Sequence, residues 1–219
     1  MTRIVIAGGH GQIALLLEAR LSAAGHTVQG LIRRPEGADD LVAAGAEPVV
    51  FDLESSTAQE LAEVIRGADA VVFAAGAGAG SSAERKYTVD LGGSVLLADA
   101  AELAGVGRFV QVSSMGAGAP AAAGSDPVWV AYLDAKTKAE DDLRRRKLNW
   151  TILRPGSLLN TAGIGLVQLA PHTGGGSVPR EDVANVLAEL LDQGAALQQT
   201  LELVSGAVPI FQAVQAWKG

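Results

Sequence analysis

Residues Thr2 to Ala14 read TRIVIAGGHGQIA. Arg3 to Ala7 is short and almost wholly apolar, the pattern of a strand buried on both faces of a parallel sheet. Glycines follow at once. Gly9-His10-Gly11-Gln12-Ile13-Ala14 fits the dinucleotide fingerprint G-x-G-x-x-G/A, and Gly8 adds the wider spacing G-x-x-G-x-x-A. Gly9 is expected to allow the tight strand-to-helix turn, Gly11 to let the backbone approach a pyrophosphate, and Ala14 to let the next helix lie close to the sheet. The free N–H groups and positive dipole end of that helix would then face phosphates. Gly8, Gly9, His10, Gly11, Gln12 and Ile13 are therefore candidate cofactor-binding residues.

The surroundings support this reading. A helical run from Gln12 to Ala24 leads through Gly25 into a second apolar strand, Thr27 to Ile32, which makes a βαβ unit of about 30 residues. Further on, strands are expected at Pro48 to Phe51, Asp69 to Ala75, Arg108 to Ser113, Trp150 to Leu153 and Leu201 to Val204. Helices are expected at Ala38 to Ala44, from the capping-box signal Thr57-x-x-Glu60 to Arg66, and at Ala83 to Ala104, Ala131 to Arg146 and Glu181 to Leu191, with a short one at the end. Pro155 to Pro179 reads as the longest irregular connection. This alternation predicts an α/β fold, a doubly wound parallel sheet in one domain over residues 1–219 with a small C-terminal substrate region.

Composition sets the bounds. With 219 residues and 48% hydrophobic content, one domain with a substantial core is expected. The absence of cysteine removes thiolate nucleophiles and thiolate metal sites, and three histidines without nearby carboxylate spacing argue against a metal centre. A net charge of −7 argues against a nucleic-acid partner. The single basic run, Arg144-Arg145-Arg146-Lys147, reads as the solvated end of a helix. No targeting segment or membrane span is visible, so a cytoplasmic monomer or homodimer acting on a small molecule is expected.

The second strand ends in Leu31-Ile32-Arg33-Arg34, with no carboxylate before Glu36. An acidic residue there bonds the ribose 2′-hydroxyl of NAD, whereas arginine accommodates a 2′-phosphate, so Arg33 and Arg34 favour NADP(H), with NAD(H) as the second choice. Asp52 is placed either to bond the adenine amino group or to sit in an exposed turn, and Leu53 is grouped with it. Tyr132 and Lys136, spaced Y-x-x-x-K, share one helical face. An ammonium beside a phenol favours phenolate, which makes the tyrosine a usable acid and base. Ser113 and Ser114 close the fifth strand on the edge where such sheets bind ligands. Ser114 is the preferred hydroxyl for polarising a carbonyl.

Gly8 to Ala14, Ser113-Ser114, Tyr132-x-x-x-Lys136 and Arg154-Pro155-Gly156, in this order, resemble the short-chain dehydrogenase/reductase superfamily. More narrowly, Leu31-Ile32-Arg33, Val112-Ser113-Ser114, Thr151 to Gly156 and Pro179-Arg180-Glu181-Asp182-Val183-Ala184 are similar to the atypical NAD(P)-binding group of NmrA-like and biliverdin reductase B-like proteins. The resemblance implies a seven-strand Rossmann sheet, and a loop after Arg154 in which Pro155, Gly156, Ser157 and Leu158 lie beside the nicotinamide. It places Ala74-Ala75-Gly76 where relatives carry Asn-Ala-Gly, and it leaves in doubt the proton-relay asparagine of many dehydrogenases.

These expectations converge on an NADPH-dependent reductase of a small carbonyl or conjugated compound, with Tyr132, Lys136 and Ser114 as catalytic residues and Ser113 among the cofactor contacts. The alternatives are an NADP(H)-sensing regulator without turnover and, ranked last, an epimerase or dehydratase. The substrate pocket is expected to be walled by Gly76 to Ser82, Met115 to Val130 and Gly156 to Val178, loops with few charges, which points to a mostly apolar substrate.

Overall fold

The structure is a computed structural model that describes residues 2–78 and 80–218. Met1, Gly219 and Ala79, the last within the expected Gly76 to Ser82 loop, lie outside the described residues. In chain order the first half comprises β1 (Arg3–Ala7), α1 (Gln12–Ala23), β2 (Thr27–Ile32), α2 (Ala38–Ala43), β3 (Glu47–Val50), α3 (Ala58–Ile65) and β4 (Ala70–Phe73). After these come α4 (Ala83–Arg85), a π-helical turn (Lys86–Gly92), α5 (Gly93–Ala104), β5 (Arg108–Val112), α6 (Pro127–Arg144) and β6 (Asn149–Pro155). The remainder is β7 (Ser157–Leu159), β8 (Leu166–Ala170), β9 (Ser177–Pro179), α7 (Arg180–Asp192), β10 (Gln199–Ser205), β11 (Val208–Pro209) and α8 (Ile210–Gln215).

Seven strands run parallel in the order β3-β2-β1-β4-β5-β6-β10, and β8 and β11 extend the β10 edge in antiparallel fashion. Side chains alternate across the strands. Ile4 and Ile6 face the layer that holds α1, α7 and α8, while Val5 and Ala7 face α3, α5 and α6. Helices thus cover both faces, as a doubly wound sheet requires. The strand order reverses between β1 and β4, and the crevice at that switch point lies at the carboxyl ends of the strands, where open α/β sheets bind ligands.

Four sequence expectations need correction. Helix α6 begins at Pro127, four residues before the expected start at Ala131, because the Asp126 carboxylate accepts from the N–H groups of Val128 (2.8 Å) and Trp129 (3.1 Å) and Pro127 fits the first turn. The helix expected over Ala83 to Ala104 is continuous but not α-helical throughout, because Lys86–Gly92 widens into a π turn. The connection from Pro155 to Pro179 is not irregular: β7 and β9 pair in parallel, and Val167 and Leu169 of β8 alternate inward onto the core. Finally, the basic run is a solvated helix end only at Arg145 and Lys147, which are exposed. Arg146 is held between α5 and α6 by Asp99, Asp142 and Glu102, and Arg144 reaches the buried Glu140.

The capping box at Thr57 forms as expected. Its hydroxyl accepts from the Glu60 N–H and the Glu60 carboxylate returns to the Thr57 N–H. Thr57→Ala is expected to remove about 1 kcal/mol of stability, a fall in Tm of about 2–4 °C. An unchanged melting curve would show that the cap is dispensable.

Candidate functional site

Gly8 makes the turn after β1. Its φ of +86° is a left-handed conformation, and a side chain there would stand 2.5 Å from the Ala75 backbone. This corrects the part expected of Gly9. Gly9 is small for a different reason: a Cβ on it would lie 2.8 Å from the backbone of Gly30 in β2 and 2.9 Å from a carboxylate oxygen of Glu18. Gly11 donates to the Gly8 carbonyl (2.9 Å) and starts α1 without a side-chain cap. The first N–H groups of α1 therefore lack side-chain partners, an arrangement that fits a diphosphate.

Beside this turn opens a cavity of about 1310 Å³, more than the roughly 300–1,000 Å³ of a drug-sized ligand site. It has room for a dinucleotide and a second molecule. Of the expected residues, Gly8, His10, Gly11, Ile13, Arg33, Asp52, Leu53, Ala74 to Gly76, Ser113, Ser114, Tyr132, Lys136 and Pro155 to Leu158 line it. Gly9, Gln12 and Arg34 do not line it. Gly9 lies beneath the turn, while Gln12 and Arg34 are exposed outside the cavity.

At the β2 end, Arg33 touches Glu54 at 3.4 Å, whereas Arg85 and Thr88 bond the same carboxylate at 2.6 Å each. The Arg85 guanidinium, helped by Thr88, holds the Glu54 carboxyl below the usual carboxylate range. Glu54 is thus shared, and Arg33 keeps most of its donors free. Asp52 accepts from the Glu54 N–H (3.0 Å), so it shapes the turn as well as lining the cavity.

The expected helical pair is present, with additional partners. Lys136 is buried, and its ammonium lies 3.2 Å from Asp90 and donates to the Val112 carbonyl at 3.2 Å. The other oxygen of Asp90 accepts from the Ala77 N–H (3.0 Å). Lys86 donates to the Gly78 carbonyl (2.8 Å), and its ammonium stands 5.5 Å from the centre of the Tyr132 ring, as that of Lys136 does at 5.7 Å. Trp129 packs on the same ring with centroids 5.3 Å apart. Tyr132 is therefore flanked by two cations, one neutralised by Asp90 and one held by a carbonyl alone. The π turn carries both Lys86 and Asp90, and such turns recur at functional sites.

The two serines differ. The Ser113 hydroxyl bonds the fully buried Glu140, which also holds Arg154 and Arg144. Arg154, singled out with Pro155-Gly156, therefore ties β6 to α6. Ser114 donates to the Met115 carbonyl (3.1 Å) and lines the cavity.

The far wall is built by β7, β9 and the start of α7. Gly156 crosses Gly176 so closely that a Cβ would lie 2.4 Å from the Gly176 carbonyl oxygen. Glu181 accepts from the Gly163 N–H (2.7 Å), and Asp182 accepts from the N–H groups of Ile164 and Gly165 (3.0 Å each). Arg180 lines the cavity and donates to Asn160 at 2.6 Å. The cavity therefore carries more charge than its loops suggested, because the helices flanking them supply Lys86, Asp90 and Arg180. Sequence reasoning missed Lys86, Asp90, Arg85 and Glu54. The four-residue spacing of Lys86 and Asp90 on one helix is the signal that could have found the first two.

Comparison with known proteins agrees with this geometry. The NAD(P)H-binding family matches residues 8–194, and the chain belongs to that family. A Bacillus subtilis protein, named as an uncharacterised sugar epimerase, is 32% identical over 97% of this chain and 99% of its own. A Saccharomyces cerevisiae protein is 33% identical over 98% of each chain. Among solved structures, a Bacillus halodurans protein with the provisional name of an NAD-dependent epimerase/dehydratase superposes with a TM-score of 0.91 at 35% identity, covering 99% of this chain and 100% of its own. An anaerobilin reductase from Escherichia coli superposes at 0.79 with 26% identity, covering 93% and 97%. Among the described residues, no helix is long and apolar enough to cross a membrane.

Proposed function

We propose that the protein is an NADPH-dependent oxidoreductase that reduces a small carbonyl or conjugated compound. The observation that carries this reading is Tyr132 with two ammonium groups near its ring, at 5.5 and 5.7 Å from its centre, in the same cavity as the glycine turn. A bound nicotinamide dinucleotide supplies hydride to the substrate. The backbone at Gly8, Gly11 and Ile13 would hold its diphosphate, Arg33 its 2′-phosphate, and Pro155 to Leu158 would lie beside its nicotinamide. Lys136, whose ammonium donates to the Val112 carbonyl and pairs with Asp90, would hold the ribose. Ser114 would orient the substrate oxygen, and Tyr132 would deliver the proton as general acid.

The test is a titration with NADPH and NADH, followed by NADPH oxidation across a panel of aldehydes, ketones and quinones. Tight NADPH binding with turnover supports the reading. Binding of both redox forms without any oxidation would favour a sensor instead, and no binding of either dinucleotide would sink it. The epimerase reading is disfavoured by β8, β10 and β11, which join the central sheet rather than forming a separate substrate lobe. Arg33→Ser is expected to weaken NADPH about tenfold, the loss of one or two charge-assisted hydrogen bonds, and to leave NADH unaffected. Equal losses for both would remove Arg33 from the phosphate site.

A further inference from the structure

Five lysines and arginines line the cavity, and their partners divide them. Arg33 and Arg85 share Glu54, and Lys136 pairs with Asp90. Among the described residues, Lys86 and Arg180 have no carboxylate within ion-pair distance. Lys86 is held by a backbone carbonyl and Arg180 by the side-chain oxygen of Asn160. A neutral acceptor fixes the direction of a guanidinium without cancelling its charge. One Arg180 nitrogen is engaged in this way, which leaves the rest of its planar donor fork free for a carboxylate.

The support around Arg180 is rigid. The two residues that follow it, Glu181 and Asp182, clamp the backbone of 163–165, so the segment bearing Asn160 is fastened to the helix that bears Arg180. A cation held this way is preorganised for an anion. Its place in the fold indicates the source of that anion. The glycine turn follows β1 and Arg33 ends β2, whereas Arg180 follows β9, which pairs with β7 just after Pro155-Gly156 and packs against β10, the strand beyond β6. On the reductase reading the dinucleotide phosphates would occupy the first region and the substrate the second.

We infer that the substrate is an organic anion, a carbonyl or conjugated compound bearing a carboxylate that Arg180 receives while its reducible carbon faces Tyr132. This rests on the reductase reading above and replaces the mostly apolar substrate expected from the loops. It gives the Pro179 to Ala184 motif a division of labour, with Glu181 and Asp182 building the wall and Arg180 facing the ligand.

The experiment has two arms. NADPH binding is first measured for the wild type and for Arg180→Met. The NADP⁺-loaded proteins are then titrated calorimetrically with para-formylbenzoic, cinnamic and naphthoic acids, each against its methyl ester. The expected result is that the acids bind the wild type about tenfold or more tightly than the esters, and that Arg180→Met abolishes this preference while NADPH affinity is unchanged. Acids and esters that bind alike, or do not bind, to a protein that still binds NADPH would overturn the inference and leave the cofactor reading standing. A loss of NADPH affinity in Arg180→Met would also overturn it, by assigning the arginine to a cofactor phosphate. Failure of the wild type to bind NADPH overturns both readings and is seen in the first arm.

Discussion

Tyr132→Phe is expected to lower kcat by about 10²–10⁴-fold, the usual worth of a positioned general acid, with NADPH affinity unchanged. The substitution is specific because only the hydroxyl is removed. The phenyl ring keeps its packing on Trp129, and both ammonium groups keep an aromatic face beside them. Lys136 is a poorer first target, since its removal would strand Asp90, which is 1% exposed, as an uncompensated buried charge. Lys86 is better, because its partner is a carbonyl and no carboxylate is left behind. Lys86→Met is expected to reduce turnover less than Tyr132→Phe. Stopped-flow measurement of NADPH oxidation, with binding followed by tryptophan fluorescence, separates the two steps. Undiminished turnover in Tyr132→Phe would refute the role assigned to the phenol.

How much of this arrangement could be read beforehand depends on whether the signal is local. The strand, glycine turn and helix from Arg3 to Ala23 were legible because each residue's constraint comes from its neighbours in the chain. So was the capping box at Thr57. The Asp126-Pro127 start of α6 was equally local, an N-cap followed by a first-turn proline, and was overlooked. Other features depend on distant contacts. The π turn packs against α6, and Asp90 acquires meaning only when Lys136 and the Ala77 N–H converge on it. Ser114 was preferred to Ser113 with no contact to separate them, and the fold supplies one by placing Glu140 beside Ser113. The relay asparagine was sought by residue type, whereas the buried polar residues on that helix are Lys86, Asp90 and Ser94. Arg180 was visible as part of a motif, but its freedom from carboxylates is a property of the assembled cavity.

Glu18 gives the second large prediction. Ala14, Leu17, Glu18 and Leu21 recur at the spacing of one helical face, so the sequence pattern already places a carboxylate on the buried side of α1. The side chain is wholly buried behind Gly9 and Gly30, with no hydrogen-bond partner for either oxygen. Desolvation pushes its carboxyl up from the ordinary 4.5 to about 8. At neutral pH the folded protein therefore keeps a proton there that the unfolded chain has lost. Between pH 4.5 and about 8 the folded state binds more protons, so stability falls as pH rises and levels off above the folded value. At about 1.4 kcal/mol per pH unit, ionising this one group costs on the order of 5 kcal/mol once the pH exceeds 8. Glu18→Gln cannot ionise. Its stability relative to the wild type, from urea denaturation at about pH 5 and about pH 9, is expected to grow by several kcal/mol between the two. Other titrating groups contribute equally to both proteins and cancel in the difference. Glu18→Met, which also removes the unpartnered oxygens, should be more stable than the wild type at both pH values, with the larger gain in alkali. Parallel curves for wild type and Glu18→Gln would mean that the carboxylate finds partners in solution, water reaching it through the thin wall at Gly9 and Gly30, and that α1 carries no buried proton.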